Sequence, residues 1–164
     1  MISKFTTTLM AGAALLLAAC ADEPPESAAP GGSPSAATQL DPASVAYIQQ
    51  TVGDRVFFET DSSRLTEVGQ QTLARQASWL AQNPAVNAVL EGHADERGTR
   101  EYNLALGARR AEAARAFLVA QGVAPSRLRT ISYGKERPEQ LCSAENCWSQ
   151  NRRAVSVVAG APTS

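Results

Sequence analysis

One stretch, EGHADERGTREYNLALGARRAEAARAFL from Glu91 to Leu118, constrains this chain more than any other. It reads as a strand end, a tight turn and a long helix in immediate succession. A strand from Ala85 stops at Gly92, and HADERG forms the turn. Thr99 can cap a helix running from Arg100 to Gln121, because its hydroxyl can accept a hydrogen bond from a first-turn amide. Glu101 lies where the helix dipole favours an acid, and Gly122 supplies a left-handed residue to close the helix. On this helix Leu104, Ala108, Ala111, Arg115 and Leu118 form one row, and Leu106, Arg110, Ala114 and Phe117 the next. Arg110 is the misfit: its row neighbours are apolar, and a buried guanidinium needs a partner. Asp95, in the turn before the helix, is the obvious partner or co-ligand. Two readings stay open at this point. Asp95 and Arg110 are a structural salt bridge, or they are a socket in which Asp95 faces an ammonium and Arg110 forks a carboxylate, the two poles of a zwitterionic amino acid.

The flanking segments supply a scaffold for that turn. RVFFET, Arg55 to Thr60, is a strand by its β-branched and aromatic content, followed by a loop at Asp61 to Ser63. Thr66 caps a helix to about Gln82, with Leu65, Val68, Thr72, Leu73, Gln76, Ala77 and Leu80 as its apolar stripe. Pro84 ends it by disfavouring helical geometry at Asn83. LRTISYG and RRAVSVV, Arg152 to Val158, are further strands. SVAYIQQTV fits strand or helix equally. The alternation predicts an α/β (α+β) two-layer sandwich, β-α-β-α-β-β, with the helices on a mixed sheet and a folded domain at residues 41–164. At 164 residues and 44% hydrophobic, the chain has material for one modest core and not two.

The N-terminus is a different kind of sequence. Lys4, the apolar run Leu9 to Ala18 and LLAAC ending at Cys20 resemble the signal and lipobox of a bacterial lipoprotein. A membrane-spanning helix needs about 20 apolar residues, and Asp22 with Glu23 cuts the run short. Residues 1–19 are thus expected to be a signal peptide, and Cys20 to carry acyl chains, two or three of which give stable anchoring. Ala21 stands where Asp would favour inner-membrane retention in enteric lipoproteins, which points to the outer membrane. Residues 20–40 are the lipidated cysteine and a tether, whose ADEPPESAAPGGSPSAAT has little to bury. A formal net charge of −1 gives no general affinity for nucleic acid or anionic lipid, so any anion binding is local.

EGHADERGTREYNLALGARRA, followed by SYGKERP and NRRAV, closely resembles the OmpA-like domain family in its peptidoglycan-associated lipoprotein branch, from about Gly53 to Val158. The resemblance implies an OmpA-like fold that binds the diaminopimelate side chain of the peptidoglycan stem peptide non-covalently, in a cleft between the loop after the first strand and the second long helix. It assigns the two poles to Asp95 and Arg110, with Asp61, Asn103 and Leu106 in support. Thr60 stands where many relatives have an aromatic or large apolar residue. Arg152 and Arg153 either line the pocket rim or cap the sheet edge, and Arg152 enters as a site candidate. The implied role is an outer-membrane lipoprotein with its folded domain in the periplasm, tethering membrane to wall in the Tol-Pal system of envelope integrity and cell division. Its partners would be peptidoglycan, TolB and TolA. The alternative is a periplasmic adaptor in which Asp95 and Arg110 are structural.

The remaining reactive residues point away from catalysis and cofactors. No Ser or Cys nucleophile sits with a base, so no enzyme is expected. His93, the sole histidine, has no second histidine for a zinc set and is read as structural. Glu96 and Arg97 read as a solvated pair in the turn, and Arg109, Glu112 and Arg115 as a surface ladder. With Cys20 lipidated, Cys142 and Cys147 are the two thiols left. A periplasmic compartment permits a disulfide between them, with Trp148 close by.

Overall fold

The structure, a computed structural model, describes residues 40–160. The expected signal peptide, the expected lipidation of Cys20 and all but the last residue of the expected tether at 20–40 lie outside the described residues. The described chain begins with Ser44 capping a short helix α1 (Val45–Tyr47), which continues as a π-helical turn, Ile48–Gly53. SVAYIQQTV is therefore helical, and it buries Ile48 and Val52 in the core. Strand β1 (Arg55–Phe57) follows. It is shorter than RVFFET predicts: Phe58 N still donates to Arg152 O at 2.9 Å, and the chain then turns away, with Asp61 in the left-handed region at φ 53°. Asp tolerates that conformation better than most residues.

Two threonines set the long helices. Thr66 accepts from Gly69 N at 3.1 Å and opens α2 (Glu67–Gln82); Thr99 accepts from Tyr102 N at 3.2 Å and opens α3 (Arg100–Ala120). Between them runs β2 (Asn87–His93), and after α3 a 3-10 turn, Pro125–Arg127, leads into β3 (Leu128–Gly134). A fourth helix, α4 (Glu145–Asn151), precedes β4 (Arg153–Ala159). This helix inserts an element into the expected order, making it β-α-β-α-β-α-β after the N-terminal helical segment.

The strands form one mixed sheet in the order β1-β4-β2-β3, with β2 and β3 parallel and the other pairs antiparallel. Ala88 and Leu90 on β2 meet Leu73, Ala77 and Leu80 of α2 and Ala111, Ala114 and Leu118 of α3 in a single core. Neither helix stripe is quite as the periodicity suggests. Val68 is 72% exposed and Gly69 is buried in its place; Leu104 is exposed, while α3 buries Asn103, Leu106, Gly107, Arg110, Ala111, Ala114 and Leu118. The reason is a close approach: a Cβ on Gly92 would overlap the Gly107 carbonyl, and one on Gly107 would overlap Ser132 Oγ. The backbone of α3 thus rests on the end of β2, and Arg110, one turn on, is carried to the strand's last residue.

Candidate functional site

The strand ends and the start of α3 enclose a cleft of about 310 Å³, lined by Thr60, Asp61, Asp95, Arg97, Gly98, Tyr102, Asn103, Leu106 and Arg110. The structure brings Thr60, Asp61, Asp95, Asn103, Leu106 and Arg110 to one place from three separate segments. Arg152 does not line the cleft.

Arg110 is completely buried, and its partner is not the expected one. It donates from Nε to Ser62 O at 2.8 Å, from Nη1 to His93 O at 2.8 Å and from Nη2 to Glu59 O at 3.2 Å. The Asp95–Arg110 salt bridge, one of the two readings the sequence leaves open, is not formed; three backbone carbonyls take its place. Those carbonyls lie where β1 and β2 run out and ladder partners are no longer available, so a planar fork of donors satisfies them. The guanidinium also lies 5.2 Å over the Phe58 ring. Burial pushes its pKa down to about 10, while the charge of Asp95 acts in the opposite direction; it remains a cation at neutral pH. Three of its five N–H groups are engaged, leaving one on each terminal nitrogen.

Asp95 is ionised by its neighbours. Burial acts to raise its pKa, but hydrogen bonds from Arg97 and Arg152 outweigh it and hold the carboxyl below its ordinary value. Its Oδ1 accepts from Arg97 N at 3.1 Å and Arg97 Nε at 3.2 Å; its Oδ2 accepts from Arg97 Nη2 at 2.7 Å and Arg152 Nη1 at 3.3 Å. The expected Glu96–Arg97 pair is therefore not formed. Arg97 folds back on Asp95 and stacks on Trp148 at 4.2 Å, while Glu96 accepts from Trp148 Nε1 at 3.2 Å.

The turn itself is clamped from both sides. Asn103 Nδ2 donates to Arg97 O at 2.7 Å, and Lys135 Nζ to Glu96 O at 3.2 Å and Gly98 O at 2.6 Å. Asp61 accepts from the Tyr102 hydroxyl, which joins the loop after β1 to α3. Leu106, 5% exposed, gives the cleft an apolar wall.

Arg152 stands behind the cleft and does not line it. It ties three segments together through Phe58 O at 3.1 Å, Asp95 Oδ2 at 3.3 Å and Glu145 Oε1 at 2.5 Å. Arg153 is also buried and reaches Glu139 at 3.3 Å. His93 is buried with neither ring nitrogen hydrogen-bonded, stacked on Tyr133. Burial, with the charges of Arg153 and Arg137, pushes its pKa down to about 4, so the imidazole is neutral at physiological pH. Its contribution to the cleft is its backbone carbonyl. Cys142 and Cys147 are disulfide-bonded at the head of α4, the helix that carries Trp148 and Glu145. Sequence reasoning left out Arg97, Gly98 and Tyr102. Helical spacing carried a signal for Tyr102, because residues 102, 103, 106 and 110 share one face.

The OmpA family model matches residues 57–154. A peptidoglycan-associated lipoprotein of Mesorhizobium japonicum is 61% identical over 127 residues, covering 77% of this chain and 76% of that protein. One from Pseudomonas aeruginosa is 52% identical over 97 residues, covering 59% of this chain and 57% of that protein. Among solved structures, the peptidoglycan-associated lipoprotein of Burkholderia pseudomallei is 38% identical with a TM-score of 0.67, covering 73% of this chain and 100% of that chain. The C-terminal domain of Helicobacter pylori MotB, at 23% identity and TM-score 0.59, shares the fold; it covers 65% of this chain and 84% of that chain. The chain belongs to the OmpA family, within its peptidoglycan-associated lipoprotein group.

Proposed function

We propose that the cleft binds the diaminopimelate residue of the peptidoglycan stem peptide non-covalently, and that the protein tethers the outer membrane to the cell wall. One observation carries the reading: a buried Arg110 with an unused N–H on each terminal nitrogen shares a cleft with an ionised Asp95 and an apolar wall at Leu106. The free carboxylate of diaminopimelate would take the Arg110 fork, its ammonium would face Asp95, and its alkyl chain would lie on Leu106. A wall peptide with lysine at this position lacks the carboxylate and leaves desolvated donors unmatched, which is the source of selectivity. The cleft binds and does not catalyse.

The rest of the role follows the same reading. Cys20 would carry the lipid, with the domain facing the periplasm. TolB would engage the domain over the same cleft, with TolA as a further contact of the Tol-Pal system, so that wall binding and TolB binding exclude each other. Calorimetric titration with a meso-diaminopimelate stem peptide, beside its lysine analogue, tests the site. Binding of the first alone is expected. Binding of neither by the folded protein would overturn the reading in favour of an adaptor with a structural Asp95 and Arg110. Mass spectrometry of the membrane-extracted protein tests acylation, and wall affinity unchanged by saturating TolB would refute exclusion.

A further inference from the structure

We infer that Arg97 is an internal competitor for the ammonium half of the cleft, holding Asp95 until a ligand's own ammonium displaces it, and so determines how strongly the site selects for that group. The inference rests on the peptidoglycan reading and adds what occupies Asp95 before the ligand arrives.

A carboxylate offers about four acceptor positions, and those of Asp95 are filled. Three of the four donors belong to residue 97, two of them on its side chain, and the fourth is Arg152. These donors differ in how easily they leave. The Arg152 side chain is 5% exposed and also bound to Phe58 O and Glu145. The Arg97 amide is fixed with its turn by Asn103 and Lys135. The Arg97 side chain, by contrast, is 40% exposed and lines the cleft. An ammonium approaching Asp95 must therefore take the positions of Arg97 Nε and Nη2.

The exchange is one cation for another on the same carboxylate. The Arg97 half of the pair is 40% exposed and so screened by solvent, while Asp95 is buried; a ligand ammonium held by the rest of the cleft can replace that screened partner. A neutral group cannot repay the lost pair, so Arg97 stays on Asp95 and such a ligand draws nothing from that carboxylate, with or without Arg97. The displaced guanidinium also has a resting place, since it already stacks on Trp148 at 4.2 Å, with Glu96 and Glu145 adding favourable charge. The Cys142–Cys147 bond heads the helix that presents that ring.

The test is calorimetric titration of the full chain with a stem peptide bearing the free diaminopimelate amine, and with the same peptide acetylated on that amine. Wild type is compared with Arg97→Met, which keeps an apolar stem for Trp148, and Arg97→Lys, which keeps a competing charge. The methionine variant should bind the free-amine peptide about two- to five-fold more tightly, the range an ion pair with one solvent-screened partner supports. It should gain nothing toward the acetylated peptide, and the lysine variant should stay near wild type. Equal or weaker binding of the free-amine peptide by Arg97→Met, with wild type binding normally, overturns the inference and makes Arg97 inert or a direct ligand contact. Wild type that binds neither peptide sinks the peptidoglycan reading and this inference with it.

Discussion

At the scale of single residues, the site depends on charges held where water cannot reach them. Arg110→Lys keeps the charge but not the fork, so it should cost at least ten-fold in affinity for the diaminopimelate peptide; a bidentate contact is lost and the Glu59, Ser62 and His93 carbonyls compete for one ammonium. Titration calorimetry, with circular dichroism as a check on folding, measures it. His93 gives a prediction of another kind. Its folded pKa of about 4 lies below the ordinary value of 6.5, so the unfolded chain binds the extra proton between those values. Stability is then full above about pH 6.5 and falls as pH drops toward 4, by about 2 kcal/mol between pH 7 and pH 5. Urea unfolding at the two pH values should show that loss in wild type, and His93→Phe should abolish most of it. His93 reads as structural in the sequence, which is silent on its charge. Its burial follows from its position at the end of β2, which one sequence does not display.

Elements show where local sequence rules hold and where tertiary packing replaces them. Both long helices begin at the predicted threonines, because a cap is a local hydrogen bond that needs no distant partner. The faces of α3 were not legible to the same degree. Its buried stripe includes Asn103 and Arg110, polar residues that blur the apolar period, and it is centred on a glycine contact with β2 that has no hydrophobic signature. Gly107→Ala should therefore destabilise the domain by about 1–3 kcal/mol, the usual cost of overpacking. It should also weaken peptide binding, because lifting α3 from Gly92 moves Arg110 off the His93 carbonyl. Urea unfolding and calorimetry on one preparation separate the two effects. Helix α4 was missed because CSAENCW is short, and what stabilises the segment is largely non-local. Asn151 accepts from Glu139 N at 2.7 Å and Gln140 N at 3.0 Å, and Arg152 reaches Asp95. Replacing Cys142 and Cys147 by serine should cost at most about 2 kcal/mol, since so short a loop constrains the unfolded chain little. A larger loss on chemical denaturation would mean the bond supports more than its own loop.

For the whole molecule, the cleft and the fold are one structure. The Arg110 carbonyl partners come from the ends of β1 and β2, Arg152 ties β4 to Phe58 and to Asp95, and Lys135 reaches back from beyond β3 to the turn. This explains why Asp95 and Arg110 could be singled out from sequence while the contacts that hold each of them could not. Asp95 and Arg110 announce themselves by charge in a patterned stretch, whereas Arg152 and Lys135 act through segments more than thirty residues away in the chain. A site built from all four strand termini has no competence in the unfolded chain, so ligand should bind the native state alone. Saturation at one hundred times the dissociation constant then adds about 2.7 kcal/mol to stability. For a domain of this size that corresponds to a rise in Tm on the order of 10 °C. Differential scanning calorimetry should find that rise with the diaminopimelate peptide and not with its lysine analogue. A rise with both would place the affinity in contacts other than the Arg110 fork. An unchanged Tm alongside measurable binding would mean that the cleft can form without the fold, which the ties between β1, β2, β4 and α3 argue against.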